Sequence, residues 1–215
     1  MEKPVVIVLA TKNQGKLKEM RNLLADFPVE FLSLDDFGPI PEVVEDGDTF
    51  DDNAYKKSSF TARVLGFPVI SDDSGLIVEA LGGAPGVYSA RYAGENATDE
   101  ENNRKLLAEL DGKNNRAAAF ECVISIAVPT GPALTYNGRC EGRIADELSG
   151  SNGFGYDPLF ISSELGKCFA ELSMEEKNSV SHRGKALNQV AREFDKILVW
   201  LEQNMPRFVK SECVT

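Results

Sequence analysis

The 215-residue sequence has one histidine and four cysteines, Cys122, Cys140, Cys168 and Cys213, and no CxxC pair among them. That scarcity argues against a Cys/His zinc site, and the scattered thiols read as reduced cysteines rather than a disulfide framework. Positive charge is also short. With 23 Lys and Arg against 34 Asp and Glu, the formal net charge is −11, which disfavours a nucleic-acid surface but leaves room for a local cationic pocket that takes a small polyanion. Long apolar runs are missing too. Residues 5–10 and 123–128 are the longest, far below the ~20 needed to cross a bilayer. Residues 1–4, Met-Glu-Lys-Pro, lead directly into a strand-like run with no signal-peptide cleavage pattern. A cytoplasmic protein with neither membrane nor nucleic-acid partner is the expectation.

What is present is an ordinary globular composition, 42% hydrophobic and 27% charged. No repeat or low-complexity linker divides it, so residues 1–204 are expected to form a single two-lobed domain and residues 205–215 a frayed tail. The β-branched run 5–10 predicts a strand buried on both faces. Leu17, Met20, Leu23, Leu24 and Phe27 follow at helical spacing, and residues 29–33 predict a second strand. Residues 35–47 form an acidic, proline-containing loop. Thr49 caps a helix to about Leu65, ended by Gly66 and Pro68. Residues 68–71 and 76–79 predict two short strands around the motif at 72–75. A capping box at 98–101 opens a helix to Gly112. Residues 116–128 and 134–144 predict an antiparallel hairpin, and 149–157 a glycine-rich loop before a short strand at 159–161. Ser173 caps a brief helix. Ser181 starts the longest one, its core stripe running from Leu187 to Leu201.

Four stretches could carry chemistry. Thr11-Lys12-Asn13-Gln14-Gly15-Lys16 lies at a strand end and helix start, where free backbone N–H groups and lysines suit phosphate, although no Walker A pattern is present. Glu42, Glu45, Asp46, Asp48, Asp51, Asp52, Asp72 and Asp73 supply hard oxygen ligands of the kind Mg²⁺ uses. On a strand end, adjacent Asp72 and Asp73 point to opposite faces, so one can enter a cleft while the other anchors a turn or meets a second ligand. Gly153-Phe154-Gly155-Tyr156-Asp157 offers an aromatic face between permissive glycines. Lys177 with Ser181-His182-Arg183-Gly184-Lys185 gathers cationic donors around the only histidine.

Together, the TxNxGK segment at 11–16, SDDSGLIVEALGGAPGVYSARY at 71–92, GFGYDPLF at 153–160 and SHRGKA at 181–186 resemble, in order, the inosine triphosphate pyrophosphatase family. The resemblance covers residues 5–203. It implies an elongated α/β fold, with a central mixed sheet flanked by helices, an active-site cleft between two lobes, and a homodimer. The implied reaction is Mg²⁺-dependent hydrolysis of noncanonical purine nucleoside triphosphates to monophosphate and pyrophosphate. Carried over by position, Thr11 to Lys16 and Lys57 bind the triphosphate, and Glu45 and Asp73 hold the metal, with Asp73 also the general base. Ser74 contacts substrate, while Phe154, Gly155, Tyr156, Asp157, Lys177, His182 and Arg183 hold the base and sugar. Asn152, where a second glycine is common, and Ser58-Ser59, where alanine is usual, depart from the pattern. A Maf-like pyrophosphatase with another base preference and a catalytically silent purine sensor are the rival readings.

Overall fold

The computed structural model describes residues 5–206. A six-stranded mixed sheet runs in the order β2-β1-β3-β4-β5-β6, from β1 (Val5–Leu9), β2 (Val29–Ser33), β3 (Val69–Val78), β4 (Ala117–Ala127), β5 (Ala133–Ile144) and β6 (Phe160–Ser162). Helices α1 (Gln14–Leu23), α2 (Phe50–Leu65), α3 (Asp99–Glu109), α4 (Met174–Val180), α5 (His182–Arg192) and α6 (Phe194–Asn204) flank it. The expected α/β architecture with a mixed sheet is what forms. Parallel pairing joins β1 to β2 and β3, and antiparallel pairing joins the rest.

Side-chain alternation along the strands sorts the core. Ile7, Leu9, Ile70, Ile124 and Ile126 pack under Leu17 and Met20 of α1, its C-cap Leu24, and the stripe Leu187, Val190, Phe194, Ile197 and Leu201. Val8, Ala10, Val69 and Ala127 turn the other way, onto Ala62 of α2. β1 is apolar throughout because both its faces are covered. Past residue 75 a separate core takes over, in which Leu76, Val78, Cys140 and Ile144 meet Leu106 of α3, its C-cap Leu110 and the aromatic cluster Phe120, Phe160 and Phe169. Ring centroids there lie 4.7–5.9 Å apart. Each fully buried side chain of this size contributes about 1.5–3 kcal/mol.

Three elements differ from expectation. β3 is one ten-residue strand rather than two short ones, and its ten-pair register with β4 carries Asp72 and Asp73 through the middle of the sheet. Aspartate is poor in strands when solvated or unpaired, and here buried cations offset that penalty. The long C-terminal helix is two, because Glu193 (φ −107°, ψ 9°) leaves helical geometry and its N–H is shared between Gln189 and Val190 carbonyls. That break seats Phe194 against Phe27, ring centroids 3.9 Å apart, so α2 with 16 residues is the longest helix. Met205 packs on the core instead of fraying, while residues 207–215 of the expected tail, with Cys213, lie outside the described residues. No helix among the described residues is long and apolar enough to cross a membrane.

The departures from the family pattern find local partners. Ser58 is fully buried and its hydroxyl is 2.8 Å from that of Ser125 on β4. Asn152 has no positive φ; its amide instead donates to the Leu172 carbonyl at 3.1 Å.

Gly138 fixes the seat of α5. A Cβ there would come within 2.0 Å of the His182 carbonyl oxygen and 2.7 Å of the Ala186 nitrogen. Gly138→Ala is expected to destabilise the fold by about 2–3 kcal/mol, lowering Tm by roughly 5–10 °C, as read by calorimetry.

Candidate active site

β1 pairs with β3 only at Val8↔Val69 and Leu9↔Ile70. Beyond that point β1 turns into α1 while β3 runs on to Val78 against β4 alone, so a crevice opens at the carboxyl end of β1, where open α/β sheets bind ligands. A cavity of about 460 Å³ occupies it, within the usual size of small-ligand sites. Of the residues singled out in the sequence, Thr11, Lys12, Asn13, Lys16, Glu45, Lys57, Asp73, Ser74, Phe154 to Asp157, Lys177, His182 and Arg183 all line it. Gln14 and Gly15 do not. Gln14 is exposed, and Gly15 lies so close to Phe154 that a Cβ would meet that ring at 2.4 Å.

The start of α1 forms one wall. Asn13 caps the helix, its Oδ1 accepting from Lys16 N at 3.0 Å. The amides of Gln14 and Gly15 are then left at the positive end of the helix dipole for a ligand. Across the mouth, exposed Lys12 meets exposed Glu42 at 2.5 Å, a contact of little energetic weight in water.

β3 supplies the reactive wall. Asp73 is 8% exposed, with Lys57 Nζ 3.6 Å from its Oδ1 and 2.9 Å from Glu45 Oε2. Burial pushes the Asp73 carboxyl up to about 6; Lys57 and Lys16 oppose the rise, and Asp72 and Glu45 add to it. Two carboxylates converging on a single ammonium make a position that a divalent cation could share. No larger set of carboxylate, imidazole or thiolate groups gathers among the described residues. That donor set suits Mg²⁺, which takes one or two protein carboxylates and fills its octahedron with water and phosphate.

Asp72 does other work. It is fully buried, and its Oδ2 receives Lys16 at 2.9 Å, Arg183 Nη2 at 3.1 Å and the Ser74 hydroxyl at 2.9 Å. Burial alone would raise its pKa, but Lys16, Arg183 and Lys57 outweigh it and hold the carboxyl well below the usual range. The sequence left Asp72 open between metal and anchor; its partners make it an anchor.

From Asp72 the ion pairs continue inward. Arg183 also binds Glu19, Glu19 binds Lys177 at 2.8 Å, and Lys177 binds Asp157 at 2.6 Å. Glu19, 4% exposed, was not singled out in the sequence. Its one signal is a carboxylate three residues after Lys16, on the same side of α1. Asp157 Oδ2 also accepts from Phe154 N at 2.9 Å, and Lys177 Nζ lies 4.7 Å from the centre of the Phe154 ring.

Of the aromatics, Phe154 is half-buried with its ring toward the cleft, whereas Tyr156 is 4% exposed and belongs to the core, its hydroxyl donating to the Ser89 carbonyl at 2.9 Å. His182 stacks on Phe120 at 4.6 Å and its Nδ1 has no partner. Burial, reinforced by Arg183 and Lys177, lowers its pKa well below the ordinary value, so the ring is neutral.

The raised Asp73 has a thermodynamic signature. Below pH 3.8 the carboxyl is protonated folded or unfolded, and between 3.8 and about 6 the folded state binds the extra proton, so rising pH removes stability through that window. The displacement corresponds to at most about 3 kcal/mol. Asp73→Asn, without added metal, is therefore expected to unfold at higher urea than the wild type at pH 8 and at equal urea near pH 3.5.

A model of the Ham1 family matches residues 7–193. The dITP/XTP pyrophosphatase of Desulfotalea psychrophila is 63% identical over 200 residues, covering 93% of this chain and 90% of that protein. The one from Syntrophobacter fumaroxidans is 58% identical, covering 98% and 93%. Among solved structures, the Ham1 proteins of Staphylococcus aureus and Coxiella burnetii superpose with TM-scores of 0.80 and 0.82, both at 43% identity over 89% of this chain and 99% of theirs. The four motifs, the sheet and the cleft thus agree with matches that run nearly the full length, and the chain belongs to the Ham1 family.

Proposed function

We propose that the protein hydrolyses noncanonical purine nucleoside triphosphates, dITP, ITP and XTP, to the monophosphate and pyrophosphate, with Mg²⁺, and so keeps these nucleotides out of DNA and RNA. The observation that carries the reading is geometric: Asp73, a buried carboxylate whose pKa burial raises, shares Lys57 with Glu45 in a cleft beside a lysine-bearing helix start. Two relatives at 58–63% identity bear the name dITP/XTP pyrophosphatase.

In this reading Thr11, Asn13, the first amides of α1, Lys12 and Lys16 take up the triphosphate, with Lys57 reaching it from α2. Asp73 removes a proton from the water that attacks the α-phosphorus, the α–β phosphoanhydride breaks, and pyrophosphate leaves with the bond's electron pair. Lys12, Lys16 and Lys57 stabilise the charge that develops on the leaving group. Glu45 and Asp73 would hold Mg²⁺, which when bound neutralises phosphate charge and acts as a Lewis acid. The base rests on Phe154 near His182. A donor from His182 or Lys177 favours a 6-oxo acceptor over the 6-amino group of adenine. Guanine is disfavoured because its 2-amino group, buried without an acceptor, costs about 1–3 kcal/mol.

Pyrophosphate release measured with dITP, XTP, dGTP, dATP and dTTP, with Mg²⁺ and with chelator, tests this. Release from dITP and XTP that the chelator abolishes is expected; nucleotide binding without release would favour a sensor, and preference for dTTP a Maf-like enzyme. Asp73→Asn is expected to lose at least about 10²-fold in kcat, the typical contribution of a general base. We also assign a homodimer, for which light scattering should give twice the 23.5 kDa chain mass.

A further inference from the structure

The loop that carries Phe154 is held partly by itself and partly by a distant helix. Gly153 and Gly155 both have positive φ, 78° and 62°, and while Asp157 ties down Phe154 N from within residues 153–157, the N–H and C=O of Gly155 find their partners outside the loop. Helix α3 supplies the restraint. Asp99 Oδ2 accepts from Gly155 N at 2.7 Å, and Asn103 Nδ2 donates to Gly155 O at 2.9 Å. The two residues are one turn apart on the same face of α3, and between them they fix the peptide units on both sides of Gly155.

The residue before Asn103 on that helix ties down the opposite segment. Asn102 Nδ2 donates to Ala90 O at 3.2 Å and its Oδ1 accepts from Ala93 N at 2.7 Å. These anchor the 3-10 turn Gly86–Arg91, whose Ser89 carbonyl receives the Tyr156 hydroxyl. A closed ring of contacts therefore runs from α3 through Gly155 and Tyr156 to Ser89, Ala90 and back. Asn103 carries a penalty, being buried with an unpartnered Oδ1, and the bond to Gly155 is what offsets it.

We propose that Asp99 and Asn103 are positioning residues that clamp the Phe154 loop in the geometry that receives the nucleobase, without acting on the phosphates. This rests on the proposed function, in which Phe154 carries the base. Asn103 does not line the cleft and touches the loop through Gly155, whereas Asp99 also lines the cleft, so the Asp99→Asn variant is what separates the bond to Gly155 from the loss of a cleft carboxylate.

The test is Asp99→Ala, Asp99→Asn and Asn103→Ala in the full chain, with kcat and KM for dITP and dissociation constants for dIMP and for inorganic pyrophosphate. Asp99→Ala and Asn103→Ala are expected to raise the dITP KM and the dIMP dissociation constant about tenfold, the equivalent of one lost hydrogen bond, with pyrophosphate affinity unchanged. Asp99→Asn, whose amide oxygen still accepts from Gly155 N, should stay within about twofold of wild type. Because Asp99 is exposed, its variants test the clamp even if Asn103→Ala folds poorly. Unchanged dIMP affinity in Asp99→Ala overturns the proposal, as does a parallel loss of pyrophosphate affinity or an Asp99→Asn no better than Asp99→Ala. A wild type that neither binds dIMP nor releases pyrophosphate from dITP would sink the proposed function and the clamp's purpose with it, whereas an active wild type with indifferent variants removes the clamp alone.

Discussion

Burying Asp72 is the constraint on which the rest depends. A carboxylate with no solvent exposure in the middle of a sheet carries a desolvation penalty of several kcal/mol unless cations and hydrogen bonds surround it. Lys16 from α1, Arg183 from α5 and Ser74 from the same strand supply them. Arg183 and Lys177 are themselves buried and require Glu19 and Asp157. Each ion is tolerable only when the others are in place, so the set ties together segments more than a hundred residues apart in sequence. The network is weak evidence for net stability, since buried pairs often only break even. Its effect is to fix the relative seats of α1, α4, α5 and β3 around the cleft.

The same network decides what its neighbour can do. Strand alternation sends Asp72 inward and Asp73 outward, and Asp72 is the carboxylate that Lys16 and Arg183 contact directly. Asp73 is left with Lys57 at 3.6 Å, a cation it shares with Glu45. Two adjacent aspartates thus have displaced pKa values of opposite sign, one held down by three cations and the other pushed up by burial with too little compensation. Separated environments for paired carboxyls are a recurrent way of preparing one for proton transfer.

Much of this was legible in the sequence. The strand at 5–10, the capping boxes at 98–101 and 173–176 and the hairpin turn at 129–132 are local signals with local causes, and the elements they predict formed. The continuity of β3 was not legible, because Asp72, Asp73 and Gly75 read as loop residues until their tertiary partners are known. Gly75 is in the strand because a Cβ would meet the Gly86 carbonyl oxygen and Ser89 Oγ at 2.4 Å, and Ser89 Oγ in turn accepts from Leu76 N at 2.9 Å. Most of the motif residues reached the cleft, but Glu19, Asp99, Asn102 and Asn103 act by pairing with distant backbone and charges. Apart from the spacing of Glu19 from Lys16, nothing in their positions marks them as parts of a site.

The internal commitments also sharpen how a base could be chosen. Arg183 donates through Nε and Nη2 to Asp72, through Nη2 to Ser74 and through Nη1 to Glu19. Of five guanidinium N–H groups, few remain for a ligand, so its charge is neutralised from behind and its plane is held rigid. His182 differs: it is buried, neutral and braced flat on Phe120, and its Nδ1, itself buried, has no partner. The ring lines the cleft and keeps an unspent hydrogen-bonding atom. If a 6-oxo group is recognised here, the imidazole that meets it is neutral and held in one orientation, with burial first and the arginine second excluding its protonated form.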